Sequence, residues 1–442
     1  MNKKTSAKGK RVKKSAYAPE TRLIWGESFT PKWDYSHHVV PPISSSSTFR
    51  LSTTKRGAKG FIEFAHHADD FTVQSKAPIY IYDRLGEPNK DMLEENLTTA
   101  EHGECAVTFA TGMAAVSAVC GILLGSGSEV IAHKMLYGCT YSLFKNWLPR
   151  YHIKVTWVDF NDLKALNNAI SGQTRLLYFE TPVNPTMELI DIRKVVEIAK
   201  RQNSRRSKAH QIFTAVDNTF ATPFCQRPFE QGIDFVIESL TKGLLGFGTD
   251  MGGAVIGPSW SYDRLLLYRK DFGGVLGAKS AWPILVYGLP SLAVRFTQQM
   301  KTAQLVAEFL ERDKRIGMVN YPGLESFNQR DLAQSQMQNY DGDFAPGTMM
   351  YFIPKGKTPQ ERHRKANRLV NYIAGNSYTM TLAVSLGNIR TLIEHPASMT
   401  HSSIPPEEQL KRGIHPGGIR LSIGLEKAKD IIHDLEKALS MM

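Results

Sequence analysis

The chain has 442 residues, of which 42% are hydrophobic and 22% charged, the composition of an ordinary soluble globular protein long enough for a large core and a second, smaller domain. No apolar run approaches the roughly 20 residues that a membrane span requires. Four scattered cysteines (Cys105, Cys120, Cys139, Cys225) without a C-x-x-C pair fit neither a disulfide framework nor a zinc site, so a reducing cytoplasm is the expected compartment.

Seven of the formal +12 charges lie in the first 14 residues (Lys3, Lys4, Lys8, Lys10, Arg11, Lys13, Lys14), which leaves about +5 for the remainder. That run has no apolar core like that of a secretory signal. Residues 1–36 read as a disordered, solvated basic arm. Such an arm can also serve nucleic acid, but charge runs are usually solvated and no nucleic-acid partner is expected. Residues 37–90 form a mostly irregular lead-in from Pro41-Pro42-Ile43 to Tyr80-Ile81-Tyr82-Asp83-Arg84. Arg84 beside Tyr82 offers a forked cation and a phenol suited to a phosphate, and equally reads as a surface arginine in a turn.

From residue 91 the pattern becomes regular. A helix is predicted over 91–101, a strand over 105–109 and an apolar helix from Thr111-Gly112-Met113 to Leu124. A glycine at that junction leaves the first amide hydrogens of a helix free for an anion. Strands are then predicted near 129–132, 155–158, 176–179, 212–216, 235–237 and 254–256, with helices over 162–170 and 191–201 among them. This alternation with continuous apolar strands implies an α/β, mostly parallel sheet covered on both faces, with its ligand site beyond the carboxyl ends of the strands. A long helical connection is expected over 285–330, clearest at 303–312. A second unit of strands and helices follows from about 345 and ends in an amphipathic helix at 428–439.

The expected strand ends carry a distinctive polar set. The run at 235–240 leads into Thr241-Lys242-Gly243 and a glycine-rich loop. It puts an amine beside two hydroxyls, Ser239 and Thr241, which share a side if that segment is extended. A lysine there can be a nucleophile when burial and nearby positive charge keep it neutral, or simply a surface lysine. The strand at 212–216 runs into Asp217-Asn218-Thr219, and the strand at 176–179 into Glu180-Thr181-Pro182-Val183-Asn184-Pro185. Asp217 reads as a site carboxylate or as a turn residue. Tyr137 and Cys139 would face the same way if their segment is extended.

Together these stretches, with Glu394-His395-Pro396-Ala397-Ser398-Met399-Thr400-His401 and Arg420-Leu421-Ser422, resemble the cysteine and methionine metabolism family of pyridoxal-phosphate (PLP) enzymes from about residue 37 onward. The family includes cystathionine γ-synthase and γ-lyase, methionine γ-lyase and O-acetylhomoserine sulfhydrylase. The resemblance implies fold type I: a PLP-binding large domain over 91–300 with a mostly parallel seven-stranded sheet, and a smaller C-terminal α/β domain over 301–442. It implies that Lys242 carries the cofactor covalently and then moves protons, that Asp217 partners the pyridine nitrogen, and that Tyr137 stacks on the ring and protonates the leaving group. The phosphate would take the Gly112 and Met113 backbone, Ser239, Thr241, and Tyr82 with Arg84, the last two from a neighbouring subunit. Asn184 would touch the cofactor, and Ser385 and Arg420 would hold the α-carboxylate of a small amino-acid substrate. Shared sites imply a homodimer, and a homotetramer built of such dimers. Cys139 and the pair Lys270-Asp271 resemble the methionine γ-lyase branch, where they would face substrate; Cys139 also reads as a small filler.

That branch implies γ-elimination on methionine, homocysteine or cystathionine, giving 2-oxobutanoate, ammonia and a thiol. γ-Replacement on an O-acylhomoserine is the alternative, because Glu87-Pro88-Asn89, Glu238 and Gly246-Phe247-Gly248 depart from the common pattern. A catalytically silent binding protein on the same fold is the non-enzyme alternative. No metal is expected.

Overall fold

The computed structural model describes residues 17–26, 38–65, 78–402 and 405–442. The basic run within the first 14 residues lies outside them.

The central sheet has seven strands: β1 (Cys105–Phe109), β2 (Glu129–His133), β3 (Lys154–Val158), β4 (Thr174–Glu180), β5 (Phe213–Asp217), β6 (Phe235–Glu238) and β7 (Gly253–Gly257). They lie in the order β1-β7-β6-β5-β4-β2-β3, and β7 alone runs antiparallel to its neighbours. Successive side chains of a strand point to opposite faces, and both faces are apolar. Val130, Leu176, Ala215, Phe235 and Val255 enter one core layer. Ile131, Leu177, Val216, Val236 and Ala254, their neighbours in the chain, enter the other. A strand buried on both faces reads as a continuous apolar run, which is why these strands are visible in the sequence.

The second sheet has five: β8 (Ile316–Asn320), β9 (Met349–Pro354), β10 (Met380–Leu382), β11 (Thr391–Glu394) and β12 (Ile419–Ser422), in the order β10-β11-β12-β9-β8. One face packs on helices Leu292–Arg312, Pro359–Asn376 and Ala428–Ser440 through Val306, Leu310, Phe352, Leu369, Ile393, Leu421 and Leu435. Met349, Tyr351 and Ile353 turn the other way and pack with Met187 and Leu386. By the same alternation Glu394 and Arg420 leave the helix-covered face, where Ile393 and Leu421 lie.

Three expectations are corrected. The arm read as disordered over 1–36 contains a helix, Pro19–Trp25, while the lead-in is irregular over most of its described residues but holds a helix at Thr54–Glu63. The helix predicted at 91 begins at Pro88, with the Glu87 carboxylate accepting from the Asn89 and Lys90 amides. The second sheet begins at β8, inside the stretch predicted as a helical connection, and helix Leu292–Arg312 spans residues 300 and 301. Among the described residues no helix is long and apolar enough to cross a membrane.

Candidate active site

Beyond the carboxyl ends of β4, β5 and β6 the chain gathers most of the expected side chains. β6 stops at Glu238, and Ser239 to Gly246 fold in tight turns, with the Lys242 amide donating to the Ser239 carbonyl at 3.1 Å and Gly246 to the Lys242 carbonyl at 2.8 Å. The premise of an extended Ser239–Thr241 segment is therefore corrected. Ser239 still lies against the start of helix Gly112–Leu123: a Cβ on Gly112 would sit 3.0 Å from the Ser239 Cβ. Thr111 caps that helix through the Ala114 amide, while Gly112 and Met113, in its first turn, have no acceptor within the helix. The Thr241 hydroxyl accepts from the Gly252 amide at 3.1 Å, which ties the lysine turn to the edge of β7.

The Lys242 ammonium Nζ donates to Ser385 Oγ at 2.8 Å. Burial and the Arg420 charge push its pKa down, while Glu394 and Asp217 pull it up. Ser385 arrives from the second unit with φ +92, a conformation that costs a non-glycine residue about 1–3 kcal/mol and is typical of functional sites. Two residues on, a Cβ on Gly387 would lie 2.4 Å from the Gly243 nitrogen. Only glycine lets the loop come that close to the lysine turn.

Arg420 is buried, with 3% exposure. Its guanidinium donates to Asn184 Oδ1 at 3.0 Å and the Ser385 carbonyl at 2.8 Å, and pairs with Glu394 at 3.0 Å. Asp217 closes β5, half-buried; its carboxylate accepts from the Thr219 amide at 3.0 Å. Lost hydration raises its pKa, while Thr219 and Lys242 oppose the rise. Among the described residues it has no ion-pair partner within salt-bridge distance. Glu180, paired in register with Asp217 across β4 and β5, accepts from the Tyr137 amide at 2.7 Å; burial and the Asp217 charge push its pKa well up.

Tyr137 precedes a short helix, Gly138–Ser142, so the premise of an extended Tyr137–Cys139 segment is also corrected. The side chains meet all the same: the Cys139 thiol donates to the Tyr137 hydroxyl at 3.4 Å. Burial, Cys139, Glu180 and Glu394 all push the phenol's pKa up, so it stays protonated. Thr140 donates to the Met113 sulfur at 3.6 Å, joining this segment to the helix start. A cavity of about 680 Å³ opens beside the site, lined by Thr241, Met251, Val384, Ser385 and Leu386 among others.

Four expected residues form a separate group. Arg84 donates to the Lys270 carbonyl at 2.7 Å and stacks over Tyr82, and Lys270 pairs with Asp271 at 3.3 Å. No hydrogen bond or ion pair joins this group to Lys242 among the described residues. Sequence reasoning assigned no role to Glu180, Glu394 or Glu101. Glu180 and Glu394 each end a strand in a quoted motif, and a carboxylate closing an apolar strand was the available signal.

The Cys/Met metabolism PLP-dependent enzyme family matches residues 15–440. An L-methionine gamma-lyase of Porphyromonas gingivalis is 38% identical over 405 residues, 91% of this chain and 93% of that one. A cystathionine beta-lyase of Coxiella burnetii is 36% identical over 362 residues, 81% of this chain and 87% of that one. The crystal structure of cystathionine gamma-lyase from Lactobacillus plantarum complexed with L-serine superposes with a TM-score of 0.80 at 28% identity, covering 96% of this chain and 99% of that one.

Proposed function

The chain belongs to the Cys/Met metabolism PLP-dependent enzyme family, is a PLP-dependent lyase acting on sulfur amino acids, and on that premise we propose that it catalyses γ-elimination. L-Methionine or L-homocysteine, with water, would give 2-oxobutanoate, ammonia and the thiol. The observation that carries this reading is the junction of Lys242 and Arg420 through Ser385, whose hydroxyl meets the amine and whose carbonyl meets the guanidinium. A base and a carboxylate-binding fork are thereby held on one residue.

The residues fit the cofactor. The recess at Gly112 and Ser239, which a Cβ would fill, and the first helical amides suit a phosphate. Asp217 is a carboxylate in need of a cation and suits the protonated ring nitrogen. When bound, the cofactor supplies an electron sink for negative charge developing on the substrate. Arg420, with Asn184 and Ser385 oriented on it, binds the α-carboxylate. Lys242, its pKa lowered by burial and Arg420, takes the proton from the α carbon and carries protons along the substrate. The protonated Tyr137 hydroxyl donates to the departing sulfur, and Cys139 gives the sulfur a soft, polarisable neighbour. Tyr82, Arg84, Lys270 and Asp271 complete the site of a second copy in a homodimer.

The test is substrate profiling of the purified protein. Release of 2-oxobutanoate from methionine or homocysteine alone, absent in Lys242→Ala, supports γ-elimination. Turnover only of an O-acylhomoserine with an added thiol would make it γ-replacement, and pyruvate from cystathionine would make it β-elimination.

A further inference from the structure

The helix Pro88–Ala100 ends at Glu101, whose side chain turns into the interior beside Glu238, the last residue of β6. Both are fully buried, at 0% exposure. Alternation along β6 puts Glu238 on the face of Val236, the layer in which Met92, Leu93 and Leu97 of that helix also pack. Glu101 Oε1 accepts from Asn218 Nδ2 at 3.0 Å. The Asn218 amide group is further held by the Gln226 carbonyl at 3.0 Å and Gln226 Nε2 at 2.9 Å. Glu101 Oε2 and both Glu238 oxygens have no donor to pair with. Three bare carboxyl oxygens in an interior are too unfavourable to persist. A single proton between the two carboxyls pairs two of the three, Glu238 donating to Glu101 Oε2, and leaves only a neutral carbonyl oxygen bare, since each carboxyl lies within hydrogen-bonding reach of the other.

We propose that Glu101 and Glu238 share one proton, Glu238 as acid and Glu101 as carboxylate, and that the pair positions Asp217. It does so through Asn218, which follows Asp217 in the chain and donates its side-chain hydrogen bond to Glu101. By holding Glu238 neutral, it also leaves Asp217 free to carry its charge. The groups facing the pair agree with that division. The Arg227 cation faces Glu101, opposed by Glu230, and the Tyr340 phenol lies nearby. Glu238 faces Glu101 and Asp217, both of which disfavour its ionisation, against a smaller opposing effect of the Asn218 amide. Burial raises both pKa values, that of Glu101 to about 7 and that of Glu238 well above the ordinary 4.5.

The sign of the pH dependence follows. The folded state keeps a proton on Glu238 that the unfolded chain releases near pH 4.5, so this group lowers stability progressively as pH rises from there to its folded pKa. The positioning role rests on the assignment of Asp217 to the ring nitrogen. The test uses the cofactor-loaded enzyme and Glu238→Gln, which keeps a donor to Glu101 and cannot ionise. Its infrared spectrum at neutral pH is expected to lose a protonated-carboxyl carbonyl band. The fall of its Tm between about pH 5 and pH 8 is expected to flatten, and the alkaline limb of kcat/KM to move to higher pH. Should that variant not fold, Glu101→Gln places the donor on the other side and removes the same band. Absence of a protonated-carboxyl band from the native-minus-Glu238→Gln difference spectrum, in which the contribution of buried Glu180 cancels, overturns the shared proton. A flattened Tm curve with an unmoved pH profile overturns the positioning role. Failure of the elimination reading itself leaves a different mark: no sulfur amino acid is turned over, yet band and Tm slope remain.

Discussion

Glu394→Gln isolates the charge that balances Arg420. The two residues face each other across β11 and β12, 3.0 Å apart, with side-chain exposures of 1% and 3%. At an effective dielectric near 20, that separation corresponds to about 5–6 kcal/mol of attraction, much of it offset by the dehydration of both groups. Breaking one partner of a buried pair costs about 3–5 kcal/mol. Arg420 retains Asn184 and the Ser385 carbonyl as acceptors, which places this variant at the lower end, about 3 kcal/mol. For a chain of 442 residues that is a fall in Tm of roughly 3 °C. A ligand carrying an α-carboxylate then supplies the missing negative charge. An unreactive methionine analogue such as norleucine is therefore expected to raise the variant's Tm by more than it raises the native Tm, and the KM for methionine is expected to fall. Differential scanning fluorimetry with and without the analogue, with initial rates alongside, makes the comparison. Equal ligand-induced shifts in the two proteins would refute the reasoning, because Arg420 would then not be exchanging one carboxylate for another.

Three further outcomes are expected. Tyr137→Phe, which removes the donor at sulfur and keeps the ring, is expected to lower kcat by about 10²–10⁴-fold with KM little changed, measured by 2-oxobutanoate release. Arg84→Ala and Lys242→Ala, each inactive alone, are expected to regain activity when the two chains are unfolded and refolded together, since a mixed pair contains one site with both residues native; no recovery argues that sites are not shared. Glu129 is held by Lys154, Ser171, Thr156 and Thr174, which bring its pKa from 4.5 to about 2 against the effect of burial. A depressed folded pKa stabilises above the unfolded value and the effect is lost as pH falls through about 2. Glu129→Gln is therefore expected to lower stability at pH 7 by about 1–2 kcal/mol once solvent screening is allowed for, with the gap to the native protein closing as pH falls toward 2 in urea titrations.

What the sequence discloses depends on whether the local signal and the tertiary demand coincide. β2, β4, β5 and β6 are buried on both faces, so their apolar runs are uninterrupted and their polar ends stand out. Lys242, Asp217 and Asn184 could be found from those ends. β8 has exposed residues and a glycine at its second position, which gives it neither alternation nor an apolar run. Helix Thr54–Glu63 contains two glycines, each unfavourable by about 1 kcal/mol relative to alanine. A Cβ at Gly60 would lie 2.9 Å from Ile79 and Ile81, so tertiary contact selects the residue that helix propensity would reject. Tyr137 and Cys139 meet for a reason other than the one the sequence suggests: a short helix, not extended backbone, brings their side chains together.

Charge balance accounts for the choice of residues at the strand ends. Glu394 is opposed by Arg420 and Glu101 by Arg227, while burial holds Glu180 and Glu238 toward their neutral forms. Lys242 must surrender its charge to act as a base, and burial together with Arg420 moves it that way. Asp217 is then the carboxylate with no fixed cation of its own, in a cleft where an unpaired charge is expensive. Under the proposed assignment the protonated ring nitrogen supplies that cation. This makes a direct demand on Asp217→Asn: an amide removes the need for the cation, so the variant is expected to hold the cofactor more weakly and to lose the protonated ring state first as pH rises. A visible-absorbance titration reads both effects, and a curve identical to the native one would mean that Asp217 is balanced by something else.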